Sequence, residues 1–358
     1  MWFLLLPISL LYSIVIRIRH LLYDFGIIRS KSYDIPVICI GNLCLGGSGK
    51  TPHTEYLIRL LKEDYHIGVV SRGYKRATKG FLKADLDSTS TDIGDEPMQY
   101  KKFIPDIDIA VAERRTEGIE RLLSADSSVN LILLDDAYQH RRVRPGYNIL
   151  LTDYSNLYSK DYLLPTGTLR DIKSAASRAN AIVISKSPTI LSPYVKDEIR
   201  NSIKIKPNQK LFFSYIHHKK LSPLNDVAKG IKRDRYSTIV AFCGIAQPEI
   251  FETHLKTICS DLYITTFKDH YRFTERDIDK LINSYKSCIG NNKIMVTTEK
   301  DAMRLIKTPY LSRFKDIPLY YTPIEVRFHN TKDENFDEEI MQYVRSYQTN
   351  NKLHRIQD

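Results

Sequence analysis

Residues 37–54 read VICIGNLCLGGSGKTPHT. An apolar run, a glycine-rich stretch and a Gly-Lys-Thr triplet follow one another directly. A run apolar throughout is typical of a strand covered on both faces. A strand that turns through glycines straight into a helix gathers backbone N–H groups and the positive end of the helix dipole at one spot, which suits a phosphate. Such a unit cannot cover both faces of its strand alone, so the rest of the chain has to supply a sheet and helices.

The sequence after residue 36 does so. PVICI, HIGVVS, VNLILL, YNILLTD and NAIVIS alternate with helical patterns. That order predicts an α/β fold, a P-loop NTPase-like, mostly parallel sheet flanked by helices. A weaker series, KLFFSYI, STIVAFCGI, LYITTF, KIMVTT and PLYYTPI, predicts a second, smaller α/β domain. The polar, turn-rich stretch 217–236 reads as a junction. The expected organisation is an N-terminal segment 1–35, a nucleotide-binding domain 36–216, and a C-terminal domain 237–358 that closes over a cleft. A chain of 358 residues suffices for two cores, and it contains no internal repeat, low-complexity tract or long linker.

The motif G-x-x-x-x-G-K-[ST] places its first glycine at position 44, where this chain has Cys44. Gly46, Gly47, Ser48, Gly49, Lys50, Thr51 and Pro52 complete the candidate nucleotide-binding loop. Lys50 is expected to reach the β- and γ-phosphates, and the Thr51 hydroxyl to hold Mg²⁺. A second element, LILLDDAYQH, puts Asp135 and Asp136 at the C-terminal end of an apolar strand, where open α/β sheets bind ligands. Adjacent carboxylates repel unless cations share them, so both are candidate metal ligands; a helix cap is the plainer role for one of the two. No N-K-x-D occurs, which favours ATP over a guanine nucleotide.

The 53 basic against 42 acidic residues leave a net charge of +11, which suits an anionic partner. Runs such as KIKPNQK and YKRATKG read as solvated surface. No recognition helix or aromatic platform supports nucleic-acid binding. Five scattered cysteines, Cys39, Cys44, Cys243, Cys259 and Cys288, contain no C-x-x-C pair, which argues against a disulfide framework and for a reducing cytosol.

MWFLLLPISLLYSIVI carries no charged side chain before Arg17. It falls slightly short of the ~20 residues a spanning helix needs. Its positive charges, Arg17, Arg19, Arg29 and Lys31, come after the apolar run rather than before it, unlike a secretory signal. Leu4, Ile8, Leu11, Val15, Ile18 and Leu22 fall on one face of a helix. That face suits either a core helix or, the preferred reading, a helix lying in or dipping into a membrane with basic residues on anionic headgroups. If the helix spans, the basic residues after it keep the rest of the chain cytoplasmic.

Taken together, these segments resemble the tetraacyldisaccharide 4′-kinase family, and the resemblance covers nearly the whole chain in order. LLYDFG precedes IGNLCLGGSGKTP; then come SRGYKR at 71–76, GDEP at 94–97, DDAYQH at 135–140, LPTGTLRD at 164–171, FCGIAQP at 242–248, FKDHYRF at 267–273 and TTEKDAMRL at 297–305. The family loop also lacks the first glycine, as Cys44 does here. Where the family usually has glycine, this chain has Lys75 and Ala137, and Asp171-Ile172 replaces its usual Glu-Pro.

The resemblance implies transfer of the ATP γ-phosphoryl group to the 4′-hydroxyl of an acylated glucosamine disaccharide 1-phosphate, giving lipid IVA. It implies Asp95 as base for the acceptor hydroxyl with His270 as its partner, and Lys50 and Arg170 as further catalytic groups. Arg114, Arg170 and Asp171 fall at substrate-phosphate positions; which of Arg114 and Arg115 faces the site stays open. Implied partners are ATP, the lipid acceptor and the cytoplasmic face of the inner membrane, with no obligate protein partner. The alternative is a membrane-associated P-loop nucleotide switch acting on a partner protein. A kinase needs an acceptor base, whereas a switch needs a mobile loop and a partner surface.

Overall fold

The computed structural model describes residues 5–230, 233–269, 271–306, 308–332 and 334–357, with residues 348–357 described by backbone alone. The chain forms two compact units: residues 1–216 with 326–358, and residues 217–325.

The first unit is built on a nine-stranded sheet. In chain order its strands are β1 (Val37–Asn42), β2 (Ile67–Ser71), β3 (Leu82–Lys83), β4 (Asp108–Val111), β5 (Leu131–Asp135), β6 (Tyr147–Asp153), β7 (Ala181–Ser185) and β8 (Lys210–His218). The last strand, Ile324–Phe328, follows five strands of the other unit and is β14. The order across the sheet is β14-β8-β7-β6-β1-β5-β2-β4-β3. β4, β2, β5, β1, β6, β7 and β8 pair parallel in sequence across it, and β3 is antiparallel to β4.

Strand β1 is buried along its whole length. Successive side chains point to opposite faces. Ile38 and Ile40 accordingly enter one core with Leu57, Ile58 and Leu61 of α2 (Lys50–Leu61). Val37 and Cys39 enter the opposite core with Ile119 and Leu122 of α5 (Arg115–Ala125). Each fully buried side chain of this kind contributes about 1.5–3 kcal/mol. Strand order reverses at β1, with β5 and β2 on one side and β6 and β7 on the other, which makes the C-terminal edge there a ligand crevice.

Two expectations need correction. KLFFSYI belongs to β8 of this first sheet rather than to a second series. The C-terminal residues do not stay with the smaller domain: α11 (Phe336–Gln357) packs Phe336, Ile340 and Val344 among Ile38, Leu57 and Phe212. Tyr56 Oη donates to Asp337 at 2.5 Å and Tyr147 Oη to Glu339 at 2.9 Å. These three apolar side chains on one helix face are thereby buried against the larger sheet.

The N-terminal α1 (Leu6–Asp24) is apolar enough and long enough to cross a membrane. Its buried residues are Ser9, Ile16 and His20. Of the apolar face read from the sequence, Ile8, Leu11, Val15 and Ile18 are left open at 55%, 64%, 57% and 52% exposed; Leu22 is half-buried, and Leu4 lies outside the described residues. A core helix would bury that face, so the core-helix reading fails on these four residues.

The second unit has a five-stranded sheet formed by β9 (Ser222–Pro223), β10 (Tyr236–Cys243), β11 (Cys259–Thr266), β12 (Lys293–Thr298) and β13 (Leu319–Thr322), in the order β11-β10-β12-β13-β9. Its motif residues knit together. Asp301, fully buried, accepts from Gly244 N at 2.8 Å and from Thr298 Oγ1 at 2.6 Å, and pairs with Arg304 at 2.7 Å. FCGIAQP and TTEKDAMRL are thereby joined at the C-terminal ends of β10 and β12.

Candidate active site

The loop after β1 is shaped by glycine and held from two sides. Gly46 and Gly49 take φ of 107° and 79°, values that favour glycine. Gly49 caps α2, so Lys50, Thr51 and Pro52 form its first turn; the N–H groups of Lys50 and Thr51 lack helical partners there, and Pro52 has none. On one side, residues 43–45 run against 168–170. Leu45 N donates to Thr168 O and Arg170 N to Leu43 O, each at 2.7 Å, and Cys44 bridges Leu169 in antiparallel fashion. A residue held in such a bridge needs no glycine, which accounts for Cys44.

On the other side, Ser185 Oγ donates to Ser48 O at 2.9 Å. Lys186 Nζ donates to Gly47 O and pairs with Asp153 Oδ2 at 3.1 Å. Beneath the loop, His53 Nδ1 donates to Gly49 O at 2.7 Å, and His53 Nε2 accepts from Ser214 Oγ at 2.8 Å. Burial pushes the His53 ring down to about 4, so it is neutral at pH 7 and serves as a fixed support.

The two carboxylates at the end of β5 sit in different environments. Asp135 is 3% exposed, and its oxygens accept from Thr54 Oγ1 and Ser71 Oγ, each at 3.3 Å. Burial, reinforced by Asp136 and Glu96, pushes it up to about 6. Asp136 follows with φ of 47°. Both terminal nitrogens of Arg170 donate to its carboxylate, Nη1 at 3.3 Å, and Lys50 Nζ lies 3.8 Å away. Burial raises Asp136, but Lys50 and Arg170 outweigh it and hold the carboxyl below its usual range. Lys50 itself is lowered by burial against the opposing pull of Asp136. Environments that push two neighbouring acids apart are a mark of assigned chemical roles.

Arg170 also donates to Asn42 Oδ1 at 2.5 Å, linking the end of β1 to the Asp pair. Of the adjacent arginines, Arg114 is exposed ahead of α5, whereas Arg115 is 2% exposed. Arg115 donates to Ala112 O at 2.7 Å, and burial lowers it to about 10 against the pull of Asp135 and Asp136. Arg115 is thus the arginine buried within electrostatic reach of the carboxylates, while Arg114 stays at the surface. Asp171, expected at a substrate phosphate, is turned elsewhere: it is 1% exposed and engaged by His20, Arg178 and Ile172 N.

Asp95 is the half-buried first residue of α4 (Asp95–Phe103), after Gly94 with φ of 92°. A Cβ on Gly94 would meet Gly73 Cα at 3.0 Å, so GDEP is seated tightly against the SRGY turn. The neighbouring Glu96 acts electrostatically on both Asp135 and Lys50. His270 lies outside the described residues.

Four buried polar atoms here have no protein partner: Asn42 Nδ2, Ser48 Oγ, Arg115 Nε and Arg170 Nε. Leaving such atoms unpaired costs about 1–3 kcal/mol each, so their clustering points to a polar ligand. The sequence reading missed Asn42, Ser71, Asp153 and Lys186. Each ends or directly follows a strand of the first sheet, and that position was the signal that could have found them.

Comparison with known proteins supplies the family. The family model for LpxK, tetraacyldisaccharide-1-P 4′-kinase, matches residues 1–345. The tetraacyldisaccharide 4′-kinase of Bacteroides thetaiotaomicron is 40% identical over 358 residues, covering 97% of this chain and 94% of its own length. That of Flavobacterium johnsoniae is 42% identical, covering 95% and 96%. The crystal structure of apo-form LpxK from Aquifex aeolicus in complex with ATP matches at a TM-score of 0.71 and 27% identity, over 97% of this chain and 99% of that one. A loop shaped for phosphate, a lysine and an arginine converging on one carboxylate, and matches over nearly the full length lead to one assignment: the chain belongs to the tetraacyldisaccharide-1-P 4′-kinase family.

Proposed function

We propose that the chain transfers the γ-phosphoryl group of ATP to the 4′-hydroxyl of tetraacyldisaccharide 1-phosphate, forming lipid IVA. The observation that carries this reading is the convergence of Lys50 and Arg170 on Asp136 at the mouth of the glycine loop. In the transfer, an oxygen–phosphorus bond forms at the acceptor as the bond from γ-phosphorus to the ADP oxygen breaks. Most of the catalysis is therefore positioning and charge stabilisation. Lys50 offsets charge on the β- and γ-phosphates, helped by the N–H groups of the first turn of α2. Arg170 and Arg115 supply further positive charge, and Arg170 fixes Asp136.

Asp95 is the proposed acceptor of the hydroxyl proton and His270 the second acid–base group; both roles rest on the family resemblance. A Mg²⁺ ion fits the donor set. Thr51, Asp135 and Asp136 are hard oxygen donors, and burial, with Asp136 and Glu96 close by, disfavours the charge of Asp135 unless a cation shares it. Among the described residues no group of three or more His, Cys, Asp or Glu side chains forms a metal site by itself. Mg²⁺ commonly binds through one or two carboxylates, with phosphate and water completing its shell. When bound, it would neutralise charge on the transferring phosphoryl group.

The proposed place of action is the cytoplasmic face of the inner membrane, a reading supported by the lipid acceptor and by α1. The open apolar face suits a helix lying in the interface, and its polar face is tied to the protein from Ser9 to Asp24. Release of ADP, measured with and without the lipid acceptor in mixed micelles, tests the reading. Acceptor-dependent release supports a kinase; equal release without acceptor would favour the nucleotide switch.

A further inference from the structure

Along four turns of α1, the polar face bonds to two segments that also build the active site. Ser9 Oγ bonds Thr166 Oγ1 and donates to Leu163 O at 3.2 Å. Tyr12 Oη donates to Arg170 O at 3.0 Å. Arg19 Nη2 donates to Gln139 O at 2.7 Å. His20 makes the most buried of these links: it is 7% exposed, and its Nε2 lies 2.6 Å from Asp171 Oδ1. Arg141 Nη1 lies 2.9 Å from His20 Nδ1. A guanidinium only donates, so Nδ1 accepts, and Nε2 carries the hydrogen given to Asp171.

The two segments reached by His20 are not peripheral. Arg141 follows the DDAYQH run that begins with Asp135 and Asp136. Asp171 adjoins Arg170, whose backbone N–H donates to Leu43 O and whose guanidinium holds Asp136 and Asn42. His20 thus ties the two segments together from outside the centre, touching neither the loop nor the Asp pair.

We propose that His20 is a positioning residue for phosphoryl transfer, acting through Asp171 and Arg141 to hold Arg170 against Asp136 and the phosphate loop. The inference rests on the kinase reading above. It gives α1 a second role: the helix with the open apolar face also braces, from outside, the two segments that carry Arg170 and the Asp pair. Misplacement by ~1 Å of a group that sets reacting geometry can cost on the order of 10²-fold in rate. Loss of one indirect tether should cost less.

The test compares His20→Ala with His20→Gln in the full-length protein. A glutamine amide can donate to Asp171 and accept from Arg141 as the ring does. The alanine variant should lower kcat at least about tenfold, with the KM for ATP, vesicle binding and thermal midpoint little changed. The glutamine variant should restore kcat to near wild type. Hydrogen–deuterium exchange of peptides spanning 43–49 and 164–171 provides a readout that needs no substrate. Exchange should rise in the alanine variant and return to wild type in the glutamine variant. Unchanged exchange and kcat in the alanine variant, or an activity loss matched by loss of folded protein, would overturn the proposal. A wild-type protein without acceptor-dependent turnover would sink the kinase reading alone, and the exchange arm would still decide the role of His20.

Discussion

Asp135→Asn is expected to remove activity and to make the protein more stable. The carboxyl stands at about 6 in the folded chain against an ordinary 3.8, because burial and the neighbouring acids disfavour its charge. A shift of about two units corresponds to about 3 kcal/mol at neutral pH. The sign follows from where the proton is held. The folded state binds it more tightly than the unfolded state, so the penalty is absent well below pH 3.8, grows between about pH 4 and 6, and is full above that range. An asparagine carries no charge to desolvate. Its amide can still accept from one of Thr54 and Ser71 and donate to the other hydroxyl. In nucleotide-free buffer with EDTA at pH 7.5, the variant should gain about 3 kcal/mol, or several degrees in Tm at about 2–4 °C per kcal/mol. At pH 5 the gain should fall to roughly half. Thermal unfolding by circular dichroism at both pH values is the assay. A variant no more stable than wild type at pH 7.5, or a gain that does not change with pH, would refute the reasoning.

Lys50→Ala should lower turnover by about a hundredfold or more, the order lost with one electrostatic stabiliser; turnover near wild type would remove the loop from the mechanism. Replacing Leu11, Val15 and Ile18 together with serine should weaken vesicle binding. Each side chain is about half exposed and stands to bury about 1 kcal/mol in lipid, so about 3 kcal/mol and over a hundredfold in partition are at stake. Unchanged sedimentation with vesicles would show that the open face of α1 does not meet the membrane. Asp95→Asn and His270→Ala should each lower kcat, by about 10²–10⁴ for the base, without moving the KM for ATP. A change confined to ATP affinity would reassign both residues to nucleotide binding.

Local patterns carried most of the first unit. Strands β1, β5 and β7 are mostly apolar and β6 has an apolar centre, so composition reveals them, and the Gly-Lys-Thr loop and Asp pair follow from strand ends. What stayed hidden depends on contacts between distant segments. Cys44 looks like a broken motif until residues 168–170 are seen beside it. Lys75, where the family usually has glycine, takes φ of 61°; the backbone demand survives although the residue has changed. Arg114 and Arg115 are indistinguishable in sequence, because where α5 begins decides which is buried: Arg114 is its extended cap and Arg115 its first residue. The return of α11 to the larger sheet was missed because its three apolar residues fit any core equally well. His20 carried a faint signal, as a polar residue on the Ser9–Ile16 stripe of an apolar helix.

The destination of the γ-phosphoryl group separates a lipid kinase from a nucleotide switch. The decisive measurement uses purified full-length protein, γ-labelled ATP and tetraacyldisaccharide 1-phosphate, with the lipid product isolated and its new phosphate located by phosphorus–proton correlation. Phosphoryl transfer as derived above puts the label in a bisphosphorylated lipid, with the new phosphate on the 4′-oxygen. Label released only as inorganic phosphate, at the same rate with and without the lipid, would contradict it.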